Sequence, residues 1–115
     1  PVSATCVRVP IENCHAVAVE AEVKKPFDTN EVKAKLAAKR GIVLKDLPSA
    51  TDADGSYDVF VGRIRKSAAF DNGLSFITYA DNTLRGAAYN AVRIAEKIIE
   101  AKISPKNPKN AVKYS

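Results

Sequence analysis

The 115-residue chain contains no methionine and no tryptophan, a single histidine and only two cysteines. Two thiols, Cys6 and Cys14, are too few for a disulfide framework and lack the spacing of a zinc site, so reduced thiols and no metal centre are expected. No apolar run approaches the roughly 18 residues that a membrane span needs, and no charged-then-apolar signal segment opens the chain. The expected location is cytoplasmic, with no membrane partner. No glycine-rich turn joins a strand to a helix, which excludes a Rossmann or P-loop domain within these residues. A chain without methionine, whose Pro1-Val2-Ser3 leads almost directly into a strand-like run, is expected to be a piece of something longer.

What is present is ordinary for one globular domain: 46% hydrophobic and 27% charged residues in a length able to bury a core. The formal charge of +5 raises the question of nucleic acid. Part of that excess lies at the end, at Lys106, Lys109 and Lys113, whereas elsewhere lysines mix with Glu20, Glu22, Glu31 and Glu96 as on a solvated surface. No basic stripe with interleaved aromatics appears, so a nucleic-acid partner is not expected.

Periodicity orders the elements. Residues 3–9 are rich in β-branched side chains and read as a strand, and Pro10-Ile11-Glu12-Asn13 reads as a reversal. From Cys14 to Val23 the pattern alternates, with His15, Val17, Val19, Ala21 and Val23 sharing one face. Asp28 with Glu31 makes a helix start, Phe27 can staple onto Val32, and Gly41 supplies the stop. Ile42-Val43-Leu44 is a short strand candidate, and residues 48–56 read as a loop. Residues 57–64 and 74–80 are two further strands about the Asp71-Asn72-Gly73 turn. A final helix over 82–102 carries Leu84, Ala88, Ala91, Ala95 and Ile98 on one stripe. The sum is an α+β domain over residues 1–103, with a mainly antiparallel sheet and helices packed on one face, and a flexible basic tail over 104–115.

The lone histidine is the residue most able to move a proton near neutral pH. If residues 10–13 form a tight reversal, antiparallel register sets Arg8 opposite His15 on one face of the sheet. A guanidinium that clamps a carboxylate beside an imidazole suits an acidic substrate. The alternative is a surface arginine and a structural histidine that merely lie close. Cys14, adjacent to His15, leaves the strand on the opposite face and is no partner for it. Arg63, Arg65 and Lys66 form a small basic group, read as a solvated or dimer-interface face rather than a site for substrate or cofactor phosphate.

These residues also carry a resemblance. Ala4-Thr5-Cys6-Val7-Arg8-Val9-Pro10 followed by Cys14-His15 resembles the aspartate-semialdehyde dehydrogenase segment that holds a substrate-binding arginine and the catalytic histidine. Asp58-Val59-Phe60-Val61-Gly62-Arg63-Ile64-Arg65 is similar to a strand of that family. Ala80-Asp81-Asn82-Thr83-Leu84-Arg85-Gly86-Ala87-Ala88 resembles the start of its last helix. The resemblance implies the glyceraldehyde-3-phosphate-dehydrogenase-like C-terminal domain of the family. It implies that Arg8 binds the carboxylate of aspartate semialdehyde, that His15 is the general acid/base, and that Asn82 approaches the nicotinamide end of NADP. In the complete enzyme it implies a reversible, phosphate-dependent, NADP-linked interconversion of aspartyl phosphate and the semialdehyde, toward lysine, threonine and methionine.

The family's cysteine nucleophile lies in an Asn-Cys-type motif of the preceding half, and nothing here matches it. The chain alone is therefore expected to be inactive, its partners being the missing N-terminal half and a second copy of itself. A non-catalytic homodimerisation module is the alternative reading, and a basic RNA-binding domain ranks last.

Overall fold

The computed structural model describes residues 2–103, so the expected tail over 104–115 lies outside the described residues. Four strands form one sheet: β1 (His15–Glu22), β2 (Ile42–Leu44), β3 (Val59–Lys66) and β4 (Gly73–Ala80), in the order β1-β4-β3-β2. β1 and β3 flank β4 in antiparallel ladders, whereas the short edge strand β2 runs parallel to β3. The sheet is therefore mixed and mostly antiparallel, in an α+β chain.

Helix α1 (Thr29–Ala37) starts where the sequence signals it. The Asp28 carboxylate accepts hydrogen bonds from the Asn30 and Glu31 amides at 2.7 and 3.1 Å, satisfying donors that a helix start leaves open. The helix stops ahead of Gly41, which instead takes a left-handed φ of +84° as the chain turns into β2. Ile42, Leu44 and Val61 share the sheet face near α1, where Lys33 of the helix borders the same hollow as Leu44 and Val61. Val61 is buried there, with Phe76, Leu74 and Val19 half-buried along the same face. The other face presents Ala16, Ala18 and Glu20 of β1 exposed, and Ile77 and Tyr79 of β4 and Phe60 of β3 half-buried.

Three expectations are corrected. Residues 3–9 form no strand: they are exposed and pair with no ladder, and the reversal after them holds one short-range bond, from the Ile11 amide to the Val9 carbonyl. β-branched composition favours extended backbone, but a strand exists only when its backbone pairs with a neighbouring edge, and residues 3–9 pair with none, the outer edge of β1 included. Residues 48–56 are not all loop. They hold a single-turn helix, α2 (Ala50–Ala53), started by Asp52, whose carboxylate accepts from both the amide and the hydroxyl of Ser49. Aspartate does here what glutamate does in the usual capping box. The last helix opens as a π-helical turn over Leu84–Ala88 before α3 (Tyr89–Ile103). α3 packs chiefly onto that turn. Its Val92, Ile94, Ile98 and Ile99 are exposed, and Arg93 pairs with Glu96 and Lys97 with Glu100 along its surface.

Gly62 is required by close approach. A Cβ there would lie 2.1 Å from the Lys45 carbonyl oxygen and 2.3 Å from Pro48 Cδ, because the chain leaving β2 folds over β3 at that point. Gly62→Ala is expected to destabilise the fold by about 3 kcal/mol, since a backbone carbonyl cannot step aside. Gly55→Ala, at φ +72° but with nothing near its Cβ, should cost about 1–2 kcal/mol from backbone strain alone. Urea denaturation of the two variants checks the order, and equal losses would refute the packing account.

Candidate functional site

One end of the sheet collects most of the residues with chemistry. β1 begins at His15, whose Cα partner across the ladder is Ala80, the last residue of β4. Asp81 and Asn82 follow directly, so the strand start that carries the histidine and the strand end that carries the asparagine lie together. His15 is exposed and Asn82 half-buried. The ladder brings the start of β1 beside the end of β4 although most of the chain separates them in sequence, with Asn82 two residues beyond the partner of His15.

Arg8 is not brought in by the same means. Without a strand over 3–9, no antiparallel register opposes Arg8 to His15, and Arg8 is an exposed residue of the unpaired stretch. The hairpin geometry inferred from sequence is therefore corrected: among the described residues β1 pairs with β4 alone, and residues 3–9 do not add to its outer edge.

Cys14 and His15 do leave the chain in different directions. Cys14 has a left-handed φ of +78°, which turns its side chain inward: it is 4% exposed and its thiol donates to the Ala50 carbonyl at 3.4 Å. Burial first, then the carboxylates of Asp81 and Asp54, push the thiol's pKa up. A thiol held in its protonated form is a poor nucleophile. Cys6 is exposed in the unpaired stretch. Among the described residues no group of three His, Cys, Asp or Glu side chains could hold a metal ion.

Sequence reasoning passed over Asp81, the best-connected side chain at this end. It is 3% exposed, and its two oxygens take four donors. Oδ1 accepts from the Thr83 hydroxyl at 2.6 Å, the Thr83 amide at 2.8 Å and the Leu84 amide at 3.2 Å, while Oδ2 accepts from the Gly55 amide at 3.0 Å. Those bonds, led by the Thr83 hydroxyl and the Gly55 amide, lower its pKa from 3.8 to about 2. The available signal was Asp-Asn-Thr before a helical stripe, the pattern of a side chain that caps its own following backbone. Close by, Asn13 Nδ2 donates to Asp54 Oδ1 at 3.1 Å, so the reversal before β1 is tied to the end of α2.

The basic group of β3 lies elsewhere. A bulge between Gly62 and Arg65 gives Arg63 a φ of +53°, and its amide donates to the Asp46 carbonyl. The shift sets Arg65 opposite Ser75, where its guanidinium lies 3.9 Å from Glu20 on the face bearing Ala16 and Ala18. Hydrogen bonds from Ser67 and Ser75, and then Arg65, lower the pKa of Glu20.

Residues 1–85 match the protein family described as semialdehyde dehydrogenase, dimerisation domain. The chain is 40% identical over 105 residues to an aspartate-semialdehyde dehydrogenase of Aquifex aeolicus, covering 86% of this chain and 31% of that protein. To the Bacillus subtilis enzyme of that name it is 43% identical over 104 residues, covering 84% of this chain and 30% of the relative. The crystal structure of aspartate semialdehyde dehydrogenase II from Vibrio cholerae complexed with ASA superposes with a TM-score of 0.74 at 38% identity, over 80% of this chain and 29% of that one. The chain thus spans about a third of the length of these relatives.

The depressed pKa of Asp81 has a consequence for acid stability. A carboxyl whose folded pKa is lowered adds stability that is complete above its ordinary pKa and is lost as pH falls through the folded one, here from 3.8 toward about 2. Asp81→Ala should flatten the acid limb of the urea midpoint between about pH 4 and pH 2 relative to the parent. An unchanged limb would show that the carboxylate gains nothing from its four donors.

Proposed function

This chain belongs to the semialdehyde dehydrogenase dimerisation-domain family, and on that premise we propose that it is the substrate-binding and dimerisation portion of an aspartate-semialdehyde dehydrogenase working in the cytoplasm. The observation that supports the reading is the register that sets an exposed His15 at the start of β1 opposite Ala80, two residues before Asn82. The proposed reaction is the phosphate-dependent interconversion of aspartate semialdehyde and aspartyl phosphate.

His15 serves as the general acid/base. An exposed imidazole can take a proton from an incoming thiol and return one to an oxygen at neutral pH. The thiol itself comes from the part of the enzyme that precedes this domain, as the resemblance implies: Cys14 is buried with its pKa raised, and Cys6 belongs to the segment that carries Arg8. Arg8 binds the substrate carboxylate, with the unpaired stretch carrying its planar fork to the site as the preceding part of the enzyme docks. Asn82 fits the carboxamide end of a nicotinamide cofactor: a half-buried side-chain amide offers one donor pair and one acceptor, the complement of another amide. When bound, NADP supplies the hydride acceptor.

The partner on the other side is a second copy of the chain. The sheet face bearing Ala16, Ala18, Ile77 and Tyr79 offers small and apolar side chains, and the Glu20–Arg65 pair adds charges of both signs that a two-fold arrangement can match. Ala18→Arg, in the middle of that face, should convert a dimer to a monomer in sedimentation while leaving the circular dichroism unchanged. An unaltered dimer would move the interface elsewhere.

The activity is tested by assembling the chain with the nucleotide-binding portion of a relative. The chain alone should not reduce NADP. The assembly should do so only with both the semialdehyde and phosphate present. His15→Asn should lower kcat by about 10²–10⁴-fold, the usual worth of a positioned acid/base. Arg8→Lys should raise KM for the semialdehyde by about tenfold, since an ammonium cannot grip both carboxylate oxygens. Turnover by the chain alone, or a His15→Asn assembly of full activity, would sink the reading.

A further inference from the structure

We infer that Asp81 is a positioning residue of this site, fixing Asn82 and the end of β4 relative to His15; the inference rests on the proposed cofactor role of Asn82. Asn82 sits between Asp81 and Thr83, at the reversal from a strand to a helix. Its own backbone has no ladder to hold it, because β4 ends at Ala80 and the π-helical turn begins at Leu84.

The carboxylate of Asp81 supplies what the ladder does not. Oδ1 gathers the Thr83 hydroxyl, the Thr83 amide and the Leu84 amide, closing the backbone around Asn82 into a tight turn. The Arg85 and Gly86 amides both donate to the Asp81 carbonyl, at 2.8 and 3.2 Å, so side chain and main chain of one residue clamp the turn from both ends. Oδ2 reaches away from the turn to the Gly55 amide, tethering the loop after α2. That loop is tied in turn to Asn13 through Asp54, and Asn13 stands two places before His15. Asp81 thereby joins three chain segments, two of which lead within two residues to the proposed site residues. An ionised carboxylate suits this work because it only accepts hydrogen bonds, and every group facing it here donates.

Asparagine separates the two jobs of the carboxylate. Its one oxygen can keep the turn, but its amide nitrogen would face the Gly55 donor, so Asp81→Asn should retain the Asn82 turn and lose the tether. Asp81→Ala should lose both.

The first measurement uses the full chain without any partner. In Asp81→Ala the Thr83, Leu84 and Gly55 amides should exchange with solvent about tenfold faster or more, while the amides of the β1–β4 ladder stay protected; in Asp81→Asn only Gly55 should quicken. Unchanged exchange at Thr83 and Leu84 in Asp81→Ala overturns the inference, whatever the enzyme assay gives.

The second measurement is a double-mutant cycle in the assembled enzyme, with steady-state constants referred to the folded fraction. Asn82→Ala should lower kcat/KM for NADP by about tenfold or more. Asp81→Ala should do the same, the double variant should be within about threefold of either single one, and Asp81→Asn, which keeps the turn without the tether, should recover part of the loss. A structural role alone would lower the melting temperature and leave these constants in place. If Asn82→Ala cripples the enzyme and Asp81→Ala either spares it or adds its full independent factor, the positioning role fails and the cofactor reading stands. A silent Asn82→Ala overturns the cofactor role of Asn82, and the positioning role with it.

Discussion

The β1–β4 ladder is the constraint from which the rest follows. It runs eight paired residues from His15 opposite Ala80 to Glu22 opposite Gly73. Side chains on paired strands are fixed in phase, because a slip by one residue would send every one of them to the other face. This register sets Val19 and Ala21 toward the face that α1 shares, and Ala16 and Ala18 toward the other. It also fixes where the chemistry lies. The histidine is placed by the first rung and the Asp81–Asn82 pair by the overhang just beyond it.

Local structure at that end is tuned by polar groups with few alternatives. Cys14 adopts a left-handed backbone that an L side chain pays for in strain, and in return its thiol turns into the protein while His15 turns out. Asp81 collects four donors, and Asp52 repeats the logic at α2, where Lys45 at 2.5 Å and Ser49 hold its pKa at about 2. Carboxylates rather than large apolar side chains organise the loops here, and among the described residues the buried hydrophobic set is small: Cys14, Ala53 and Val61.

Much of this was legible in the sequence. Alternation located β1, the Asp71-Asn72-Gly73 turn set off β3 and β4, and β2 showed as an apolar triplet. The Asp28 start of α1 was plain because capping chemistry is local. What escaped was non-local. Residues 3–9 carry strand composition but pair with no edge, not even the open one of β1, and the parallel pairing of β2 with β3 depends on a crossover that no window of sequence contains. The site was half legible. His15 and Asn82 were singled out, and the register places His15 opposite Ala80, two residues before Asn82; Arg8 was singled out with a register that does not exist. Asp81 was overlooked although its bonds to Thr83 and Leu84 follow a local capping pattern; only its reach to Gly55 lay beyond any window of sequence.

The long helix α3 has a consequence of its own. Ion pairs spaced three residues apart, Arg93 with Glu96 and Lys97 with Glu100, each add little at a solvent-screened surface. They nevertheless favour the wound state while the isoleucines face solvent. A segment already coiled surrenders little configurational freedom when a neighbouring surface closes over it, so association can proceed as the meeting of preformed shapes rather than as folding upon contact.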